Sequence, residues 1–490
     1  MSYVLRDYQQ KASDAAVSFF NNKAKKTNAI MVLPTGSGKS LIIADIAARL
    51  DGHTLVFQPS KEILEQNFKK LCSYGILDCS IYSASFNSKE ISRITFATIG
   101  SVKNHPELFT HFKNIIVDEC HLVNPKEGMY KDFFDAVKCK VLGLTATPYR
   151  LSSSRDFGSM LKFITRTKPH VFSEVIYHVQ VSTLLDMGYL AKLNYYPMNP
   201  SGWNELNLKV NTTGADYTDR SVQREYERID FYGYLVHIVQ RLMNPKAGGK
   251  RKGILVFTRF LKEAERLTWS IPGAAIVSGD TPKGERERIL EAFKAGEISV
   301  VANVGVLTTG FDYPELDTVV MARPTMSLAM WYQIVGRAIR PHPSKECGWI
   351  VDLAGNISRF GKVEDLKLVD GGNGKWSVWN KDKQDFDTTI NAAGFMEIFF
   401  PSSKTDQSKN DLHFIATINY STNVYLETKV YNEEKVLFRQ VQQYNKETSE
   451  AIQVEEYPPY SATIKMNIND DDMVSGLIAK RMLREITLLK

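Results

Sequence analysis

Residues 33 to 40, Leu-Pro-Thr-Gly-Ser-Gly-Lys-Ser, constrain the fold of this chain more than any other stretch. They follow an apolar run, Ala29 to Leu33, and precede a helical pattern that starts at Leu41, so the local order is strand, glycine loop, helix. That order suits a phosphate chain. Gly36 and Gly38 let the backbone approach closely, and the N–H groups of Pro34-Thr35-Gly36-Ser37-Gly38 and the following helix start face the anion. Lys39 then reaches the terminal phosphates and Ser40 the Mg²⁺ that accompanies them. A flexible strand-to-helix turn has the same local form, and only motifs elsewhere in the chain decide against it.

The rest of the chain reads as several domains. From Asn28 to Thr147, short apolar runs at 29–33, 54–57, 94–97, 115–117 and 141–144 alternate with longer helix-like stretches. Runs without polar alternation read as parallel strands covered on both faces. Residues 253–352 repeat the design, with strands expected at 253–257, 274–278, 299–303, 318–321 and 348–351. The expected fold is α/β: two tandem parallel-sheet domains with the nucleotide in the cleft between them, followed by a β-rich accessory domain. The expected boundaries are 1–150, a connector or insertion at 151–243 with a polar loop near 199–220, 244–365, and 371–490. Residues 244–253 read as a linker or as a basic loop on the edge of the second domain. Phe414–Tyr420 and Val424–Tyr431 read as a hairpin. A strand at 462–468 and a closing helix at 473–489 are expected beyond it.

Charge and cysteines narrow the class. The formal charge of +6 is uneven, with the base concentrated before residue 371 and a slight acidic excess after it, which suits a polyanionic partner for the front of the chain. The five cysteines are scattered and never spaced Cys-x-x-Cys, so neither a disulfide frame nor a zinc site is expected. No apolar run approaches the roughly 18 residues of a membrane span, and a soluble protein of a reducing, cytoplasmic compartment is expected.

Two further constellations carry chemistry. Ile115-Ile116-Val117-Asp118-Glu119 ends an apolar strand in two acids. Transfer of a phosphoryl group to water needs one carboxylate on the metal, assigned to Asp118, and one to orient and deprotonate the water, assigned to Glu119. An N-cap pair opening a helix has the same look, but here both acids share the carboxyl edge of the sheet with the glycine loop. In Gln333-Ile334-Val335-Gly336-Arg337-Ala338-Ile339-Arg340, Arg337 and Arg340 lie three apart on one helical face and can neutralise a shared anion.

Asp-Glu-Cys-His at 118–121, Thr-Ala-Thr at 145–147, Leu-Thr-Thr-Gly-Phe-Asp at 307–312 and Gln-x-x-Gly-Arg-x-x-Arg at 333–340 resemble, in order, the motifs of superfamily 2 helicases. The resemblance covers residues 3 to about 360. Within the superfamily the chain looks most like RadD-type DNA-repair ATPases, carried by Leu5-Arg6-Asp7-Tyr8-Gln9-Gln10, Ser278-Gly279-Asp280-Thr281-Pro282, 303–312 and Asp352-Leu353-Ala354-Gly355-Asn356. It departs from them in having no cysteine in residues 371–490. Phage recombination helicases that migrate branched DNA share the same core.

The resemblance implies ATP and Mg²⁺ as cofactors, with Arg6 and Gln9 reading the adenine. It implies Gly310, Asp312 and Gln333 as further nucleotide contacts, and Thr145 and Thr147 as the coupling motif. It implies that Pro59, Ser60, Lys61, Thr98, Ile99, Gly100, Thr258, Arg259, Thr308 and Thr309 track one nucleic-acid strand. The implied partner is single-stranded or branched DNA, bound largely without regard to sequence through its phosphates. A protein partner for the C-terminal region is also compatible with its acidity. The activity implied is ATP-driven movement on, or remodelling of, DNA in repair, recombination or replication. A nucleotide-gated clamp, an RNA-directed ATPase and the motor subunit of a restriction system remain open on the same motifs.

Overall fold

The computed structural model describes residues 4–154, 158–167, 169–211, 216–245, 251, 253–308, 311–370, 376–380, 389–390, 395–399, 412–420, 423–432, 435–445 and 451–457. The first sheet is built from β1 (Ala29–Val32), β2 (Thr54–Phe57), β3 (Cys79–Ser83), β4 (Ser88–Lys89), β5 (Ile94–Ala97), β6 (Asn114–Asp118) and β7 (Lys140–Thr145). A hairpin, β8 (Tyr149–Ser154) with β9 (Gly158–Phe163), follows, and β10 (Glu174–His178) returns to the sheet. The order is β10-β1-β7-β6-β2-β5-β3-β4, parallel except where β4 turns back on β3. Every residue of β1, β2, β5 and β6 is buried, as strands covered by helices on both faces must be.

Parallel register is what assembles the functional edge. Val32 pairs with Thr145, Asp118 with Leu144, and Phe57 with both Val117 and Ala97. The segments that leave β1, β7 and β6 therefore emerge side by side, at roughly 4.8 Å strand spacing. Those leaving β2 and β5 emerge one and two strands further along the same edge.

The second sheet runs β11 (Leu193–Pro197), β16 (Gly348–Asp352), β15 (Thr318–Met321), β12 (Ile254–Thr258), β14 (Val300–Val304) and β13 (Ala274–Ser278), all parallel. Each strand expected from the sequence in this region is present, shifted by one residue at most. The connector is different. Residues 151–243 form no separate unit, because β10 closes the first sheet and β11 the second, and the chain crosses between them at 179–192. Both are edge strands, half-buried or exposed along their length, so they lack the unbroken apolar signature that marks the central strands. The half-polar β3 escapes the sequence pattern for the same reason.

The polar loop near 199–220 packs on the second domain. Glu205 pairs with Arg359 at 2.6 Å, and Asn199 accepts from the Gly355 N–H at 3.2 Å. Beyond the second sheet an antiparallel ladder runs β17 (Leu366–Asp370), β18 (Trp376–Asn380), β19 (Thr389–Ile390), β20 (Phe395–Phe399), β21 (Leu412–Tyr420), β22 (Asn423–Asn432), β23 (Lys435–Asn445) and β24 (Ala451–Tyr457). The expected hairpin is β21 with β22, in register from Tyr420 opposite Val424 to Leu412 opposite Asn432. The strand expected at 462–468 and the helix at 473–489 lie outside the described residues, as does most of the linker at 244–253. No described helix is long and apolar enough to cross a membrane.

Candidate active site at the cleft between the two domains

The glycine loop leaves β1 and turns into the helix α2 (Lys39–Arg49) through Gly36 at φ +84° and Gly38 at φ +80°. A side chain at 38 would also collide with Gln9 Nε2, 2.5 Å from where its Cβ would stand. The loop is fastened from behind by the first helix of the chain: Tyr8 Oη and Gln9 Nε2 both donate to the Ser37 carbonyl, at 2.6 and 2.9 Å. Gln9 Oε1 accepts from the Arg6 N–H at 2.9 Å, and the Arg6 guanidinium lies 4.2 Å from the Tyr189 ring centroid. Arg6, Gln9 and the loop are thus one connected unit. The Ser37 hydroxyl is buried with no hydrogen-bond partner, a donor facing a loop built for an anion.

Two residues from the loop, Lys39 Nζ meets Glu119 Oε1 at 2.8 Å, with both side chains about 15% exposed. Glu119 sits in the left-handed region at φ +51°, which turns its carboxylate back from the end of β6 toward the glycine loop. Burial alone would raise its pKa, but the ammonium of Lys39 and the imidazole of His121 hold it below the ordinary carboxylate range. Asp118 is shifted the other way, upward, by burial and by the charge of Glu119. A buried carboxylate that lacks a compensating cation fits a divalent ion. Ser40 Oγ donates to Asn67 Oδ1 at 2.6 Å and must exchange that bond to ligate the same ion. No group of three or more His, Cys, Asp or Glu side chains placed to hold a metal ion is present among the described residues, so Ser40 and Asp118 would hold the ion together with the nucleotide's phosphates.

His121, quoted in the sequence motif but given no role there, is the hub of the cleft. Its Nδ1 lies 3.0 Å from Thr145 Oγ1, 3.3 Å from Thr147 Oγ1 and 3.3 Å from Glu119 Oε2. Its Nε2 meets Gln333 Nε2 of the second domain at 3.2 Å. An amide nitrogen can only donate, so Nε2 accepts and the proton sits on Nδ1, toward the threonines and the carboxylate. The side-by-side ending of β6 and β7, a pairing that only the folded sheet supplies, brings residue 121 to the threonines.

The second domain closes the site. Gly336 approaches so near that a Cβ there would stand 2.9 Å from Thr35 of the glycine loop. One residue on, Arg337 is 6% exposed and, among the described residues, donates to the carbonyl oxygens of Phe311 at 2.7 Å and Gln333 at 3.1 Å. Burial and the neighbouring Arg340 push its pKa down to about 9. A guanidinium remains charged under such a shift, which measures an unpaired buried cation. Arg340, by contrast, pairs with Asp312. Thr309 and Gly310 lie outside the described residues.

The residues assigned to nucleic acid divide. Ser60 caps α3 (Lys61–Ser73), accepting from the Ile63 N–H at 3.3 Å, and Thr98 meets Ser101 at 3.0 Å before the turn Ile99–Val102 that contains Gly100. Pro59, Ser60, Thr98, Ile99 and Gly100 stand on the same sheet edge as the glycine loop, displaced from it by the strand order. The exposed Lys61 ammonium is neighboured by that of Lys283 from the second domain, which pushes its pKa down. The sequence gave no sign of this basic pair, because the two lysines lie far apart in the chain. Thr308 is half-buried after β14. Thr258 and Arg259 use their donors inside the protein in this structure. Thr258 is 1% exposed and donates to Asn303 O, while the Arg259 fork is filled by Asp216 at 3.1 Å, Asp219 at 2.9 Å and Tyr217 O at 2.6 Å. Their place at a strand end resembles a phosphate grip, with the loop at 216–219 folded over to take the Arg259 donors and β14 taking the Thr258 hydroxyl.

Comparison with known proteins matches residues 2–150 to the family described as type III restriction enzyme, res subunit, and residues 235–342 to the helicase conserved C-terminal domain. A 51.5 kDa protein of a Lactococcus phage (isolate 7-9) is 26% identical over 67% of this chain and 66% of its own length. The DNA 3'-5' translocase XPB2 of Sulfurisphaera tokodaii is 26% identical over 69% of this chain and 78% of its own. The chain spans only about half of some relatives, such as IRC3 of Saccharomyces cerevisiae, where it covers 52% at 25% identity. Among solved structures, the ATP-dependent type ISP restriction-modification enzyme LlaBIII bound to DNA superposes with a TM-score of 0.54 at 19% identity, covering 72% of this chain and 28% of that one. At that identity the likeness is one of fold.

Proposed function

Because the chain belongs to superfamily 2 of the helicases, we propose that it is an ATP-hydrolysing motor that moves on or remodels DNA. The observation that carries this reading is the continuous path from Lys39 through Glu119 and His121 to Gln333, with unpaired Arg337 beside it. The two domains are wired together through the residues that would handle the terminal phosphate.

Lys39, the loop N–H groups and Ser37 hold the phosphates, and Glu119 orients and deprotonates the attacking water. Arg337, with Arg340, neutralises charge on the transferring group. Ser40 and Asp118 would hold Mg²⁺, which when bound supplies neutralisation of the phosphate oxygens. Lys39 is paired with Glu119, so bound phosphates compete for the ammonium and free the carboxylate to act as base. Departure of the hydrolysed phosphate removes the anion that joins Lys39 to Arg337, the domains separate, and their grips on the strand move relative to each other. Those grips are proposed for Ser60, Lys61 and Thr98 in the first domain and for Thr308 and Lys283 in the second.

Glu119→Gln is expected to bind ATP at least as tightly as the parent, since it releases Lys39, while hydrolysis falls by about 10²–10⁴-fold. Equilibrium nucleotide binding and single-turnover hydrolysis check this, and equal loss of both counts against the assigned base. Gln333→Ala cuts the cross-domain bond to His121 and is expected to lower nucleic-acid-stimulated turnover by roughly tenfold, with basal turnover less affected. Steady-state assays with and without DNA report it.

DNA is preferred over RNA because relatives are named DNA translocases and helicases, and a role on branched DNA in repair, recombination or replication is part of the proposal. Hydrolysis is expected to be stimulated by single-stranded, forked or four-way DNA, with the stimulation falling steeply as salt rises. Stimulation by matched RNA alone overturns the DNA assignment. Turnover indifferent to every nucleic acid makes the chain a nucleotide-gated clamp instead.

A further inference from the structure

The C-terminal ladder is joined to the cleft by more than its covalent connection. Gln180, at the start of the segment that links the two domains, donates from Nε2 to the Leu368 carbonyl at 2.8 Å and accepts at Oε1 from the Leu368 N–H at 3.1 Å. That two-way bond is the pairing a neighbouring strand would make, so it fixes β17 in place and register. Beside it Trp376 of β18, 6% exposed, packs its ring 4.8 Å from His178 and 6.1 Å from Phe163. His178 ends β10 of the first sheet.

The turn just before β17, Val363–Asp365, is pinned to the second domain. Tyr195 of β11 donates to Glu364 Oε2 at 2.6 Å and accepts from the Val363 N–H at 3.2 Å. Residues 363–370 and 376–378 are therefore a second bridge between the domains, running beside the covalent crossing at 179–192. Its inner face meets moving parts: Leu366, Leu368 and Val378 share an apolar cavity with Pro34 of the glycine loop, Ala146 between the two coupling threonines, and Tyr332, the neighbour of Gln333.

We propose that the β17–β18 hairpin is a positioning element of the ATP cleft, a strap that limits how far the two domains part and backs the glycine loop and the helix Leu328–Val335 that precedes Arg337. The inference rests on the motor reading and adds to it that the accessory region is part of the ATPase. A bound strand of DNA gripped by both domains restrains them in the same sense, so the strap matters most when DNA is absent.

The test uses the full chain with Gln180→Ala, Tyr195→Phe and the double variant. None of these residues belongs to the nucleotide or nucleic-acid site. Cutting either pin is expected to raise KM for ATP without DNA about fivefold, the worth of one such hydrogen-bonded contact, while kcat at saturating ATP and DNA stays within about twofold. Because a strap cut once is already cut, the double variant is expected to match the singles rather than multiply them. Thermal melts accompany the kinetics, since a merely structural loss lowers Tm and the active fraction, reducing kcat with KM unchanged. That pattern, an unchanged KM in both single variants, or multiplicative effects in the double overturns the strap alone. A parent chain that hydrolyses no ATP under any condition overturns the strap and the motor together.

Discussion

Replacing Lys39 by alanine is expected to abolish ATP turnover and to destabilise the nucleotide-free protein at the same time. The first effect follows from position. Lys39 is the first residue of α2, directly behind the two left-handed glycines, and Arg337 and Arg340 reach the phosphates from the other domain rather than from this position. The second follows from what Lys39 does before ATP arrives. Its ion pair with Glu119 is largely buried, and removal of one partner from such a pair leaves an uncompensated charge at a cost of about 3 kcal/mol. The measurement is a thermal melt beside a steady-state assay. Adding Glu119→Gln to Lys39→Ala should restore much of the lost stability and none of the activity. A Lys39→Ala chain that retains parental turnover would remove the central assignment of the site.

Arg337→Ala is expected to behave in the opposite way toward stability while being nearly as damaging to catalysis. Loss of a guanidinium supplied to a transferring phosphate costs about 10³–10⁵-fold in rate. Yet in the nucleotide-free protein this cation has no carboxylate partner, and its depressed pKa of about 9 shows that burial penalises it. Truncation should leave Tm unchanged or raise it. Arg337→Lys is not expected to rescue the rate, because a single ammonium cannot span Phe311 O, Gln333 O and a phosphate from one planar fork. The contrast with Lys39→Ala is the informative part: both abolish turnover, but one removes a satisfied charge and the other an unsatisfied one. A large fall in Tm for Arg337→Ala would mean that the residue is a structural tie rather than a group held ready for the nucleotide.

The sequence alone determined what depends on neighbours in the chain or on a repeated pattern. The central strands were legible because burial on both faces demands unbroken apolar runs. The glycine loop and the Asp118–Glu119 pair were legible because close phosphate approach and paired carboxylates each need fixed residue types at fixed spacing. The edge strands β10 and β11 escaped because their half-buried or exposed residues carry no such runs, as did the half-polar β3, and with the edge strands went the true crossing point between the domains. Tertiary structure alone decided which donors are free. Arg259 and Arg337 are both arginines beside a motif, yet carboxylates and a carbonyl of the loop folded back at residues 216–219 fill the fork of the first, while the second meets only the Phe311 and Gln333 carbonyls among the described residues. It also placed His121 between Glu119 and Gln333, Lys283 beside Lys61, and Leu368 in the grip of Gln180. Each of these is a contact between residues far apart in the chain, where local spacing holds no information because the folded path, and not the sequence distance, sets which polar groups meet.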